Sequence, residues 1–291
     1  MSRVYQLAPS ILSADFNRLG EQIQRVEKAE CRWLHIDIMD GMFVPSISFG
    51  MPVVKSIRKE SSLYFDVHMM VKDPERYVEE FQSCGADMIT VHAEACRDLA
   101  ETVKKIHETG ADAGVAVNPD TPLSAVTDVM DQVEMILIMS VYPGFGGQKY
   151  IPESTERIRT LRRMLDEKGL EHVHIQVDGG INRATIDEVL AAGANIIVAG
   201  SAVFGSNIEQ NVRELQEKIS SYSKKGRIRY KKTEKRGRKR ENMYYFGGMI
   251  EPDFAFPYLQ KQQFDIILAA DRGLEFCYHY QIMPTYILGD F

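Results

Sequence analysis

Eight short apolar runs punctuate the chain between residues 5 and 201: "YQLAPSIL", "LHIDIM", "LYFDVHMM", "MITVHA", "AGVAVN", "MILIMSV", "HVHIQVD" and "NIIVAGS". They recur roughly every 20 to 35 residues and are rich in the β-branched, aromatic and methionine side chains that suit strands. Between most of them lie segments with apolar residues three and four apart, the spacing of one helix face. These are "DFNRLGEQIQRVEKAE", "DPERYVEEFQSCG", "ACRDLAETVKKIHETG", "TPLSAVTDVMDQV", "PESTERIRTLRRMLDEKG" and "INRATIDEVLAAG". Several end in Gly, as helices commonly do. Strand and helix alternating eight times over about 215 residues predict an α/β protein of the (β/α)8 barrel type. An open doubly wound sheet competes with this reading, but no GxGxxG follows the first run.

A barrel requires its functional residues at the carboxyl ends of the strands, on one rim. Ser10 lies near the end of the first run, His35 and Asp37 on the second, and His68 on the third. "MSVYPGFGGQ" follows the sixth, Asp178 with "GGI" ends the seventh, and "AGS" ends the eighth. Side chains alternate across a strand, so His35, Asp37 and Met39 share one face while Leu34, Ile36 and Ile38 share the other. A buried charge is costly unless it is paired or coordinated. A salt-bridged edge strand would satisfy this one stretch, but it does not account for four such residues on one rim.

His35, Asp37, His68 and Asp178 therefore form a candidate ligand set of two imidazoles and two carboxylates. Such a set suits one divalent metal ion, Zn, Fe(II), Mn or Co, without choosing among them. Two facing aspartates repel, and a divalent cation relieves that repulsion. Gly179 and Gly180 follow the seventh strand, and Gly200 with Ser201 follows the eighth. Those are the two places where barrel backbones bind phosphate through N–H groups and a short helix start. "PGFGGQ", residues 143–148, reads as a loop that closes over substrate. Met39, Met70 and Met139 sit at strand ends near the proposed ligands, where uncharged sulfur can line the face of a delocalised anion.

Composition sets the outer limits. With 44% hydrophobic and 26% charged residues, the chain is an ordinary globular sequence. It has no apolar run of about 18 residues, so no membrane span is expected. The N-terminus lacks the apolar core of a signal peptide. Four cysteines without CxxC spacing argue for a reduced, cytoplasmic setting. Residues 219–240 hold eleven Lys or Arg against one Glu, a balance of +10 in a chain of net charge −6, so the remainder carries −16. That tract could attract nucleic acid, but it has no apolar periodicity and reads as a solvated linker beside an acidic body.

"APSILSADF", "LHIDIMDG", "DVHMMV", "MSVYPGFGGQ", "VDGGI" and "VAGSAVF", in this order and spacing, closely resemble the ribulose-phosphate 3-epimerase family across about residues 2–218. The resemblance implies a metal-dependent (β/α)8 enzyme of the pentose phosphate pathway. Such an enzyme interconverts D-ribulose 5-phosphate and D-xylulose 5-phosphate, a small-molecule ketose phosphate pair. It implies His35, Asp37, His68 and Asp178 as ligands, with Asp37 and Asp178 also as the acid/base pair. Ser10, His68, Gly144, Phe145, Gly146, Gly147, Asp178, Gly179, Gly180, Gly200 and Ser201 match its substrate-contacting positions. Met42, Met69 and Tyr142 depart from residues common in the family; none is a ligand or a base.

Chemistry supports the same expectation. Inversion at carbon 3 needs a base on one face and an acid on the other, and coordination of the ketone by a metal stabilises the enediolate between the two steps. A related ketose phosphate such as D-allulose 6-phosphate would suit the same residues. A nucleic-acid-binding protein that uses the basic tract is the alternative of another class. A homo-oligomer is expected.

Beyond the tract, "NMYYFGGMIEPDF" and "FDIILAADRGLEFCYHYQIMPTYILGDF" predict strand, helix, strand, turn, helix, strand. This segment resembles the N-terminal part of thiamine pyrophosphokinase, with Asp271 and Asp290 at acidic positions of that family. About 50 residues cannot build that domain's core, so no kinase activity is expected and a truncated gene product is the simplest account. The expected division is a barrel at 1–218, a basic linker at 219–241 and the C-terminal segment at 242–291.

Overall fold

The computed structural model describes residues 4–228 and, beyond them, three strands at Met243–Phe246, Ile266–Ala270 and Tyr286–Leu288. The chain divides into two units, Met1–Lys231 and Lys232–Phe291. In the second unit the middle strand pairs in parallel with each of the other two. The helices expected between these strands, and Asp271 and Asp290, lie outside the described residues.

In the first unit the eight apolar runs become eight strands. These are β1 (Gln6–Pro9), β2 (Trp33–Met39), β3 (Tyr64–Met70), β4 (Met88–His92), β5 (Asp112–Val117), β6 (Met135–Met139), β7 (His174–Asp178) and β8 (Ile196–Ala199). Each pairs in parallel with its sequence neighbour from β2 to β8, and β8 pairs with β1. A parallel bridge between Ser10 and His35 then closes β1 onto β2. The result is the (β/α)8 barrel expected from the alternation. Outward side chains such as Leu34, Ile36, Phe65 and Val67 are fully buried under the helices. The inward face is packed toward its amino end by Met88, Met135 and Ile196, which cluster with Ala8 and with Val198 of the rim cavity, and the Trp33 and Tyr64 rings stack 4.5 Å apart beside them.

The helices follow the spacing of buried residues. In α1 (Leu19–Lys28) Leu19, Ile23 and Val26 face the barrel, and in α5 (Glu153–Glu167) Ile158, Leu161 and Leu165 do so. α3 is Val78–Ser83. Asp98 caps α4 (Leu99–Glu108) by accepting the Glu101 N–H. α6 (Ile186–Ala192) stops at Gly193 with φ +117°. Residues 51–58, which carry no helix in the sequence reading, form α2 (Met51–Arg58) behind Gly50 with Pro52 in the first turn.

Two expectations are corrected. Residues 121–133 form only a 3-10 turn at Leu123–Val126 followed by turns. Val126, Val129, Met130 and Val133 are buried as their spacing required, but polar side chains bond to nearby carbonyls and the backbone makes turns in place of a helix. Thr127 Oγ1 donates to the Ser124 carbonyl and Gln132 Nε2 to that of Asp128. The last helix, α7 (Ile208–Ile228), continues ten residues beyond the boundary expected at 218. Val212, Leu215, Ile219 and Tyr222 keep the three-to-four spacing and pack on the core. The first residues read as linker therefore belong to the barrel.

This boundary yields a stability prediction. A chain ending at residue 228 is expected to melt like the intact barrel unit. A chain ending at residue 218 loses the buried Ile219 and half-buried Tyr222 and should be less stable by roughly 2–5 kcal/mol, the scale of removing one large core side chain. Urea titrations of the two chains would check this; equal midpoints would place the barrel's end at 218.

Candidate active site

Strand register brings the candidate ligands together. In β2 and β3, His35 pairs with Asp66 and Asp37 with His68, while Met139 of β6 pairs with Asp178 of β7. All five polar residues share the inward parity. His35 Nε2 lies 3.3 Å from Asp37 Oδ1 and 3.8 Å from Asp178 Oδ2. His68 Nδ1 lies 3.3 Å and 3.9 Å from the same two oxygens. One donor atom from each of His35, Asp37, His68 and Asp178 falls within 4.8 Å of every other. Ligands about 2.1 Å from one ion stand about 3 to 4 Å apart, so the cluster is near the size a bound cation sets.

The chemistry of the donors fits a cation as well as their spacing does. His35 Nδ1 is 2.7 Å from Asp66 Oδ2 and serves as its hydrogen-bond donor. Gln176 Nε2 donates to the same oxygen at 2.5 Å, and Thr90 Oγ1 to the other at 3.4 Å. With its proton on Nδ1, His35 presents a lone pair from Nε2, which is buried and has no hydrogen-bond partner. Such an atom, aimed at two carboxylates, is what a metal ligand requires. Ser10 Oγ donates to Asp37 Oδ2 at 2.5 Å.

Burial and charge set the protonation of the metal-free cluster. Burial disfavours an imidazolium at His35, but the Asp37 and Asp66 carboxylates outweigh it and raise the ring well above its ordinary value. Burial also opposes charge on Asp37, yet His35 and His68 hold it below the usual carboxylate range. Burial first, and the Asp37 charge second, push Asp178 up to about 7. Burial lowers His68 and brings His92 down to about 4. The surroundings thus push the two aspartates in opposite directions.

Above the cluster opens a cavity of about 580 Å³. Its floor holds Ser10, Asp37, Asp178 and the three methionines Met39, Met70 and Met139. His35 and His68 are fully buried beneath this floor. Gly179 and Gly180 after β7 and Gly200 and Ser201 after β8 also line the cavity, together with Lys149, Tyr150 and Glu188. Gly180 has φ +68°, and a Cβ there would strike the backbone of Tyr150, so glycine is required on both counts. At Gly200 a Cβ would instead strike the Ser13 side chain.

Gly144, Phe145, Gly146 and Gly147 line the mouth. Gln148 Nε2 braces this loop by donating to the carbonyls of Tyr142 and Phe145, and the Tyr142 hydroxyl donates to Asp120 at 3.0 Å. Tyr142 is therefore an anchor of the loop. Met42 is exposed on the rim, and Met69 is buried on the outward face of β3, where a volume-conserving apolar exchange is tolerated.

Asp66, Thr90, His92 and Gln176 were not singled out in the sequence, although the alternation that placed His68 and Asp178 also places them inward. Ser140, Ser13 and Ser48 had no such signal. Ser140 Oγ donates to the Asp178 and Gly179 carbonyls, and Ser48 Oγ to that of Asp37, so both hold strand ends that carry the carboxylates.

A model of the ribulose-phosphate 3 epimerase family matches residues 6–204. The chain is 51% identical over 208 residues to the ribulose-phosphate 3-epimerase of Synechocystis sp., covering 71% of this chain and 90% of that protein. It is 48% identical over 202 residues to the enzyme of that name from Bacillus subtilis, covering 69% and 93%. The crystal structure of 3-keto-L-gulonate-6-phosphate decarboxylase from Vibrio cholerae superposes with a TM-score of 0.57 at 14% identity, over 76% of this chain and 99% of that one. That likeness concerns the barrel fold alone. Among the described residues, no helix is long and apolar enough to cross a membrane.

The protonation pattern predicts how a cation binds. His35, raised well above its ordinary value, carries a second proton near neutrality, and Asp178 carries one below about pH 7. The His35 proton must leave before Nε2 acts as a ligand, so affinity rises with pH, by about tenfold per unit while that proton is displaced. Calorimetric titration of metal-free protein with Zn²⁺ in buffers of different ionisation enthalpy should show net proton release at pH 7. Binding with no proton release would mean that His35 Nε2 is not a ligand.

Proposed function

The chain belongs to the ribulose-phosphate 3-epimerase family and is an isomerase of that kind, and from that premise we propose that it inverts carbon 3 of a ketopentose phosphate by a two-carboxylate proton transfer. The observation that carries the scheme is the convergence of Asp37 and Asp178, which reach one cluster from strands separated by β1 and β8 and sit in unlike surroundings, the histidines holding Asp37 low and burial pushing Asp178 up. Asp37, ionised and held by the Ser10 hydroxyl, is the base. Asp178, with its carboxyl pushed up to about 7, holds the proton that is returned to the opposite face. In the reverse direction the two exchange roles, which suits D-ribulose 5-phosphate and D-xylulose 5-phosphate as a near-balanced pair.

The hydrogen on carbon 3 lies α to a ketone and is only weakly acidic. A divalent cation held by His35, Asp37, His68 and Asp178 would supply the Lewis acidity that neutralises charge developing on the substrate oxygens. Backbone N–H groups at Gly179, Gly180, Gly200 and Ser201 would grip the phosphate and fix which carbon lies between the carboxylates. Met39, Met70 and Met139 give the planar anion an apolar, proton-free surface. The Gly144–Gly147 loop covers the site from water. All residues used in this scheme lie between Ser10 and Ser201. Residues 242–291 have no role in it, and we assign them no kinase activity.

Asp178→Asn keeps the volume of the side chain but removes its proton-carrying capacity. Epimerisation of D-ribulose 5-phosphate should fall by roughly 100-fold or more while the thermal midpoint stays within a few degrees. Asp37→Asn should do the same. Retention of a tenth of the wild-type rate by either variant would remove that residue from the acid/base pair. Faster wild-type turnover on D-allulose 6-phosphate than on the pentose phosphate would overturn the choice of substrate.

A further inference from the structure

His92, at the end of β4, is fully buried and is not among the four clustered donors. Its Nε2 faces His68 Nε2 at 2.9 Å, with the two rings near parallel and their centroids 5.0 Å apart. Its Nδ1 faces Glu94 Oε2 at 3.2 Å. Glu94 is held in turn by the Asn118 N–H, which donates to Oε1 at 2.8 Å. The Phe43 ring packs against His92 at 4.8 Å and fixes the plane of the imidazole. These contacts form an unbroken chain from a partly buried carboxylate to His68.

We propose that Glu94 and His92 are positioning residues that fix the tautomer of His68, keeping its proton on Nε2 and its Nδ1 lone pair turned to the cluster. Two facing imidazole nitrogens 2.9 Å apart cannot both donate or both accept, so they share one proton. If His92 donated from Nε2, its Nδ1 lone pair would face the Glu94 carboxylate, an acceptor against an acceptor in a buried place. With the proton on His92 Nδ1, Glu94 accepts it and His92 Nε2 accepts from His68. The His68 Nδ1 lone pair then points at the space shared with Asp37 and Asp178, 3.3 Å from Asp37 Oδ1, an acceptor pair that a cation held there would relieve as nothing does at Glu94. Asp66 performs the same selection on His35 in one step, and here it takes two. The inference rests on the cation-binding reading of the cluster, and its test separates the two.

The direct readout is the ¹⁵N spectrum of the imidazoles in metal-free protein, through long-range proton–nitrogen correlations at a pH where His68 is neutral. Wild type should show His68 protonated on Nε2; a proton on Nδ1 would overturn the relay whatever the metal does. Glu94→Leu should shift His68 toward the Nδ1–H form and weaken Zn²⁺ binding, measured by chelator competition, by roughly 10- to 100-fold. His92→Leu should weaken binding similarly. His92→Gln, whose amide oxygen can still accept from His68 Nε2, should stay within about threefold of wild type. Unchanged tautomer and affinity in a folded Glu94→Leu protein would refute the proposal. Wild-type protein that takes up no Zn²⁺ would overturn the cation-binding reading, while the ¹⁵N pattern would still decide the relay.

Discussion

Three carboxylates, Asp37, Asp66 and Asp178, point into the same half of a closed barrel, and two of them are almost wholly shielded from water. Charges buried so close together are tolerated only if donors or cations compensate them. Most other features of the site serve that end. His35 spans Asp66 on one side and the Asp37–Asp178 pair on the other. Ser10 and Gln176 each supply a donor. The compensation is deliberately incomplete around Asp178, which opens to the cavity and keeps a proton near neutrality. A fully satisfied cluster would hold the fold together but leave no group free to exchange a proton with a substrate.

The barrel makes this arrangement possible by separating packing from chemistry. Outward positions of the strands are apolar and meet the helices, whereas the inward face holds a separate apolar cluster together with the polar residues of the site. The amino-end plug of Met88, Met135, Ile196 and their neighbours excludes water from below. Polar side chains above it are therefore reached only through the rim. Backbone at the ends of β7 and β8 lines the cavity beside the strand residues, and Lys149 and Glu188 reach it from the loop after β6 and from α6.

Much of this was legible from period-two alternation. Parity alone put His35 and Asp37 on one face, and the regular strand spacing put His68 and Asp178 on the same rim. The same rule could have named Asp66 and His92, two residues to the amino side of His68 and two beyond Thr90, but Asp66 opens "DVHMMV" as a residue that pairs with His35 only across strands, and His92 stands in a run with no other titratable residue. Ser140 and Ser48 act through carbonyls of other segments, contacts that depend on loop paths no periodicity encodes. The same limit explains residues 121–133. Their apolar spacing was right, but side-chain bonds to local carbonyls decided the backbone. At the other end, Ile219 and Tyr222 continued the core stripe of α7 inside a stretch whose charge suggested a linker.

The central claim is that two carboxylates handle the proton from opposite faces, and isotope transfer in a single turnover tests it most directly. Excess enzyme in D2O converts protiated D-ribulose 5-phosphate once, and the D-xylulose 5-phosphate formed is analysed by mass spectrometry for hydrogen at carbon 3. With Asp37 removing the proton and Asp178 returning another, the product should carry solvent deuterium and almost none of the substrate's hydrogen. Efficient transfer of the original hydrogen into product would mean that a single carrier serves both faces, and would contradict the account.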